Sequence, residues 1–150
     1  LATSLKGKTL LAYVAGIMDG EGCIGLHTNY KNPSAIVTVV VKNTNEWLIK
    51  FLQMNFGGYI LYQKTAWRNL RAKPSWIWEV RSKKACAFLL LVLPYLQIKK
   101  PQAELALNFQ KRRTGGGRGK RLTDEIKMLD SIDKSLMHKM NQRGIPQKEA

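Results

Sequence analysis

Two acids and two glycines follow one another at Asp19-Gly20-Glu21-Gly22, directly after an apolar stretch of helical spacing. A helix C-terminus carries about half a negative charge. Glu21, read as lying just past that end, stands where an anion is disfavoured. The stretch Thr9 to Gly25 contains no cationic side chain to compensate it. A bound divalent cation would. Hard carboxylate oxygens suit Mg²⁺, which takes one or two carboxylates and leaves its other positions to phosphate and water. On a basic chain this points to metal-assisted hydrolysis of a phosphodiester. The same four residues also read as a tight helix-to-strand turn with a solvated acid, and the residues alone support both. A second pair, Lys99 and Lys100, directly precedes Pro101, at the positive end of a helix. Cations there are disfavoured unless an anion is near. A scissile phosphate would be that anion; two solvated lysines are the plain alternative.

The acids need neighbours, and the helix that leads to them suggests where these come from. Ala12, Ala15, Gly16 and Asp19 fall at i, i+3, i+4 and i+7, on one face. Leu11, Val14 and Met18 form an adjacent face that can enter the core. A glycine inside a helix costs about 1 kcal/mol relative to alanine, which makes sense where another backbone approaches closely. No second stretch of this kind occurs in the chain, so the expected partner is the same helix of a second copy, in a two-fold dimer. Such a dimer brings two Glu21 carboxylates together.

The rest of the chain must position that helix and hold the substrate. Lys plus Arg is 25 against 10 Asp plus Glu, a net charge of +15. That excess makes a polyanion the expected partner, DNA or RNA first. No apolar run reaches the roughly 18 residues of a membrane helix, and no basic amphipathic helix favours a membrane surface. Cys23 and Cys86 form no C-x-x-C pair, and His27 and His138 are the only histidines, so the composition argues against structural zinc. Free thiols in a reducing compartment follow. The 150 residues fit one domain, expected over 1–142, with a loose tail at 143–150.

Periodicity and punctuation predict the elements. A helix runs from Thr9 to Asp19 and a strand from Cys23 to Thr28. A turn at "NYKNPS" leads to a β-branched strand from Ala35 to Val41. Asn43 with Glu46 makes a capping-box start for a helix with Trp47, Leu48, Phe51, Leu52 and Phe56 on its apolar side, ended by Gly57-Gly58. "YILYQK" and "WIWEVR" are strands three and four, joined by the basic loop "TAWRNLRAKPS". Ser82 is a candidate cap for a helix from Lys83 to Leu93, and Pro101 starts another running to Arg113. After the linker "TGGGRGKR", Thr123 caps a last helix with Ile126, Leu129, Leu136 and Met140 on one stripe. The order α-β-β-α-β-β-α-α-α implies an α+β fold: a four-stranded antiparallel sheet, helices on one face, the other face open.

The stretch "VAGIMDGEG", Val14 to Gly22, resembles the motif of the LAGLIDADG homing endonucleases. Ala15, Gly16, Asp19 and Gly22 match outright, and Glu21 replaces the final aspartate. The order of elements and the segment "LPYLQIKKPQAEL", Leu93 to Leu105, resemble that family too. A single motif resembles its homodimeric branch. The resemblance implies a sequence-specific, intron- or intein-encoded DNA endonuclease. It would make a double-strand break across the minor groove at a long pseudo-palindromic site, leaving 3′ overhangs. It implies Mg²⁺ as cofactor, with Mn²⁺ or Ca²⁺ able to occupy the same sites. It places the metal-binding acid on Glu21, the ligating carbonyl on Gly20 and the active-site lysine on Lys99. The family's polar residue near the end of strand two falls on Val41, so its water-positioning role has only Lys42 and Asn43 as substitutes. A non-catalytic nucleic-acid binder on the same scaffold, such as an intron maturase or a regulator, is the rival reading.

Strand alternation then separates core from DNA-facing residues. Ser34, Ile36 and Thr38 are expected outward on strand two, and His27, Asn29 and Lys31 on strand one, with Cys23 and Gly25 nearest the metal. Tyr59, Leu61 and Gln63 are outward by the family's pattern, and Ile77, Glu79 and Arg81 by alternation with Trp76, Trp78 and Val80. A two-stranded ribbon fits a major groove. Arg68, Arg71 and Lys73 of the basic loop would extend the contact to phosphate or outer bases. Lys111, Arg112, Arg113, Arg118, Lys120 and Arg121 would track phosphates.

Overall fold

The computed structural model describes residues 5–29, 32–64, 71–113 and 123–142. Among these the order is α1 (Gly7–Glu21), β1 (Gly22–Asn29), β2 (Asn32–Asn43), α2 (Glu46–Phe56), β3 (Tyr59–Gln63), β4 (Ser75–Arg81), α3 (Ser82–Val92), a 3-10 turn (Leu93–Tyr95), α4 (Lys100–Arg113) and α5 (Asp124–Asn141). The expected α+β order stands, and the four strands form one antiparallel sheet in the order β1-β2-β4-β3.

The sheet's inner face carries Ile24, Leu26, Val37, Val39, Val41, Trp78 and Val80, all buried under Val14, Ala15 and Met18 of α1 and the buried faces of α2 and α3. Trp78 anchors the far side: its indole N–H donates to the Gly57 carbonyl at 2.7 Å, and its ring meets Phe88 edge-on. Register resolves strand three, whose alternation is ambiguous by itself. Ile60 pairs with the buried Trp78, whereas Tyr59 pairs with Glu79 and Leu61 with Ile77. Tyr59, Leu61 and Gln63 therefore look outward.

Several boundaries differ from the expectations, each for a local reason. Helix α1 runs on through Gly20 and Glu21, so Glu21 is the last helical residue rather than one beyond the end. Asn45, not Asn43, caps α2: its side chain accepts from the N–H groups of Trp47 and Leu48, while Asn43 Oδ1 accepts from the Asn45 N–H. Ser82 makes no cap; it is the first residue of α3 and adopts φ 51°, turning the chain from strand directly into helix.

Helix α5 buries only part of the expected apolar stripe, Met140 against the core and Ile126 half-buried. Leu129 and Leu136 are exposed, whereas Asp130, Asp133 and Met137 are buried. Two charges from α4 explain this. Arg112 pairs with Asp133 and Asp130, Arg113 pairs with Asp130, and both guanidinium groups lie over the Phe109 ring. The hydrogen bond that Arg112 donates to Asp133 raises the Arg112 pKa. Arg112 and Arg113, expected to track phosphates, are thus bound within the chain. Asn141 completes the docking by donating to the Ile24 carbonyl of β1 at 2.7 Å. Removing one partner of a buried pair leaves the other charge uncompensated, at about 3–5 kcal/mol. Asp133→Ala is therefore expected to lower stability toward the bottom of that range, because the pair is not fully buried. Urea unfolding checks this; an unchanged midpoint would show that α5 is docked by other contacts.

Candidate active site

The end of α1, the start of β1 and the start of α4 meet at one point. Asp19 Oδ2 accepts from the Gln97 N–H at 2.8 Å, and Oδ1 accepts from Ile98 at 3.2 Å and Lys99 at 2.9 Å. A carboxylate thus satisfies the amides just before α4, where an anion is favoured. In return the Lys99 ammonium donates to the carbonyls of Met18 and Asp19, both at 2.8 Å. A cation thus closes the C-terminus of α1, where a cation is favoured. Each helix end receives its complementary charge from the other.

This exchange corrects one inference. The charge that compensates the end of α1 comes from Lys99, about eighty residues away in sequence, so the local stretch gives no sign of it. Lys99 thus stands beside the acidic motif. Glu21 is exposed at the rim of a groove lined also by Gly20, Gly22, Cys23, Lys99, Gln102 and Asn141. Gly22 is required at its place: a Cβ there would stand 2.7 Å from the Met18 carbonyl oxygen.

The interface expectation divides. Ala12 and Gly16 are exposed, and together with Gly20 they form an open stripe at i, i+4 and i+8. Ala15 is fully buried in the chain's own core, and Asp19 is engaged with residues 97–99. Neither lines the open stripe. The helix rotates so that its smallest core residue lets β2 and α3 come close.

On the sheet's open face, His27, Tyr59, Leu61, Gln63 and Arg81 are exposed, and Ser34, Ile36, Ile77 and Glu79 partly so. Thr38 is on this face but 4 % exposed, its hydroxyl turned to the Gly25 carbonyl. It is too low to reach a ligand. The His27 imidazole folds over Gly25 and takes the place a side chain there would occupy. Val40 and the exposed Lys42 continue the outward row beyond Thr38. The same alternation, carried four residues further, would have included them. Of the two substitutes for positioning water, Asn43 turns to α2 and only Lys42 remains on the open face. Arg71 and Lys73 are exposed. Lys31, Arg68, Arg118, Lys120 and Arg121, and the side chain of Asn29, lie outside the described residues.

The two thiols differ. Cys23 is exposed beside Glu21 and Gly22, whereas Cys86 is buried and desolvation pushes its thiol up to about 11. At pH 8 a thiol reagent is expected to modify one cysteine per folded chain, Cys23, and the second only in denaturant. Mass spectrometry of the labelled peptides checks this; prompt labelling of Cys86 would contradict the packing of α3.

The oxygens at this end of α1 that suit a hard cation are the Glu21 carboxylate and the Gly20 carbonyl. Among the described residues no three His, Cys, Asp or Glu side chains gather to hold an ion. The donor set fits Mg²⁺ where a second copy and phosphate supply the remaining positions.

The architecture is the α+β fold of the LAGLIDADG homing endonucleases. The homing endonuclease I-CvuI, solved with its target in the presence of calcium, superposes with a TM-score of 0.70 at 18 % identity, over 93 % of this chain and 86 % of that one. The archaeal intron-encoded homing endonuclease I-Vdi141I, complexed with DNA, gives 0.71 at 13 % identity, over 93 % and 89 %. The LAGLIDADG homing endonuclease I-GzeII, in complex with its DNA target, gives 0.58 at 19 % identity, over 85 % of this chain but 43 % of that one. No protein-family model matches the chain. No curated protein matches it in sequence.

Proposed function

We propose that the protein is a homodimeric, metal-dependent, sequence-specific DNA endonuclease that makes a double-strand break at a long pseudo-palindromic site. The observation that carries this reading is the meeting of Glu21 and Lys99 at the head of a sheet whose other face is open, on a chain of net charge +15. The dimer is supported by the open stripe of Ala12, Gly16 and Gly20, with exposed Tyr13 and Ile98 beside it. It is supported too by the match to less than half of I-GzeII. A neighbour twice this length has room for a second such unit, which this chain would supply by pairing.

Within that reading each residue has a task. Glu21 and the Gly20 carbonyl would hold Mg²⁺, which when bound polarises the phosphate and lowers the pKa of water. Lys99 keeps the motif helix's end in place and sets a positive charge beside Glu21, where it favours the charge that develops on the phosphate. Lys42 stands on the open face two residues after Val40, ready to contact backbone or water. The outward side chains of the ribbon lie in the major groove and select the sequence.

The direct test is incubation of the purified protein with a library of duplexes, with and without Mg²⁺. Magnesium-dependent cutting of a small set of sequences is the expected result. Selective binding without cutting under any divalent ion would leave the rival, a maturase or regulator. One observation favours that rival: Lys99 has a structural role that needs no catalysis.

A further inference from the structure

We propose that Arg81, braced by Glu79, reads a guanine in each half of the DNA site. This rests on the DNA-binding reading above and adds a specificity-determining side chain to it. The register places Arg81 opposite Thr38 on the open face. Strand β4 is an inner strand of the order β1-β2-β4-β3, and Arg81 is its last residue, two residues past the end of the β3 ladder at Tyr59 and Glu79. A ribbon lying in a major groove presents its outward side chains to base edges. Thr38 opposite Arg81 is buried, and beyond it the His27 imidazole lies over Gly25.

Glu79 is the only acid on the open face among the described residues. A carboxylate facing a polyanion is repelled unless it has a cationic partner, and this one has. Glu79 Oε1 accepts from Arg81 Nε at 2.5 Å, with the Glu79 side chain 12 % exposed and that of Arg81 52 %. Engagement through Nε orients the planar guanidinium and leaves its two terminal amino groups as a fork. That fork matches the O6 and N7 acceptors of guanine. The chain beyond Arg81 is equally constrained, since Ser82 turns it into α3 with φ 51°. A non-glycine held in that conformation costs energy that the surrounding structure must offset.

Arg81→Ala leaves the nearly buried Glu79 carboxylate without its partner, so a modest drop in the unfolding midpoint is expected, with circular dichroism as the check that the protein stays folded. Duplexes of random sequence selected by the wild-type protein should show guanine at one position of each half-site. Arg81→Ala should lose that preference by about tenfold to a hundredfold and keep the preferences at all other positions. Glu79→Ala should weaken the same preference while binding unrelated DNA more tightly. Two results overturn the proposal. One is a uniform loss of affinity across sequences with a smaller salt dependence, which marks a phosphate contact. The other is an unchanged sequence profile. A wild-type protein that selects no sequence at all overturns the DNA-binding reading itself, and with it this one.

Discussion

Glu21→Gln protein binds its DNA and leaves it whole. The substitution keeps the size of the side chain and removes its charge at the exposed end of α1, where Gly20 and Lys99 adjoin it. A neutral amide is a poor ligand for Mg²⁺, and the nearby Asp19 carboxylate is already engaged by the amides of residues 97–99. Cleavage is expected to fall by about a thousandfold or more, equivalent to at least roughly 4 kcal/mol of barrier. Binding should hold or tighten, because an anion beside the phosphates has gone. Lys99→Met separates the two tasks given to that lysine. It should slow cleavage and also lower stability by about 1–3 kcal/mol, since two carbonyls at the end of α1 lose their donor. If Glu21→Gln cuts at the wild-type rate, the acid is only part of a turn and the site lies elsewhere.

Gly16→Leu yields a folded monomer. A Cβ at residue 16 meets no atom of its own chain within 4 Å, and glycine is a weak helix former, so the single subunit should keep or gain stability. In a dimer built on the stripe Ala12, Gly16 and Gly20, the same leucine enters the contact twice. Overpacking of about 1–3 kcal/mol per copy gives roughly 2–6 kcal/mol across the two-fold. That weakens the dimer by about thirtyfold or more. Sedimentation at micromolar concentration, with circular dichroism as the check on folding, measures both halves. A dimer unaffected by Gly16→Leu would place the interface on another face.

Much of the fold is legible in the sequence because its signals are local. β-branched alternation from Ala35 to Val41, the glycine pair after Phe56 and Pro101 at the head of α4 each act within a few residues. What stays hidden is set by charges that meet across the chain. The apolar stripe of α5 loses to Asp130 and Asp133 because Arg112 and Arg113 reach them from α4. Ala15 reads as an interface residue because its small size suits a close approach, and it does make one, to the core of its own chain. Asp19 and Lys99 are both conspicuous as single residues, but the reciprocal capping that joins them is invisible to spacing. In the same way, Arg81 and Glu79 are legible as outward residues, while their ion pair depends on rotamers that no pattern encodes.

The contact between Asp19 and residues 97–99 joins positions 78 to 80 apart in sequence, so it closes a loop of more than half the chain. Such closures carry an entropic cost and wait for the intervening elements to fold. A ribosome that has released only the first ninety or so residues has displayed the acidic motif without the lysine that completes it. The nascent chain, and any fragment truncated before α4, carries the end of α1 unclasped. The clasp between the two helix ends therefore forms only after the whole sheet and the start of α4 have left the ribosome.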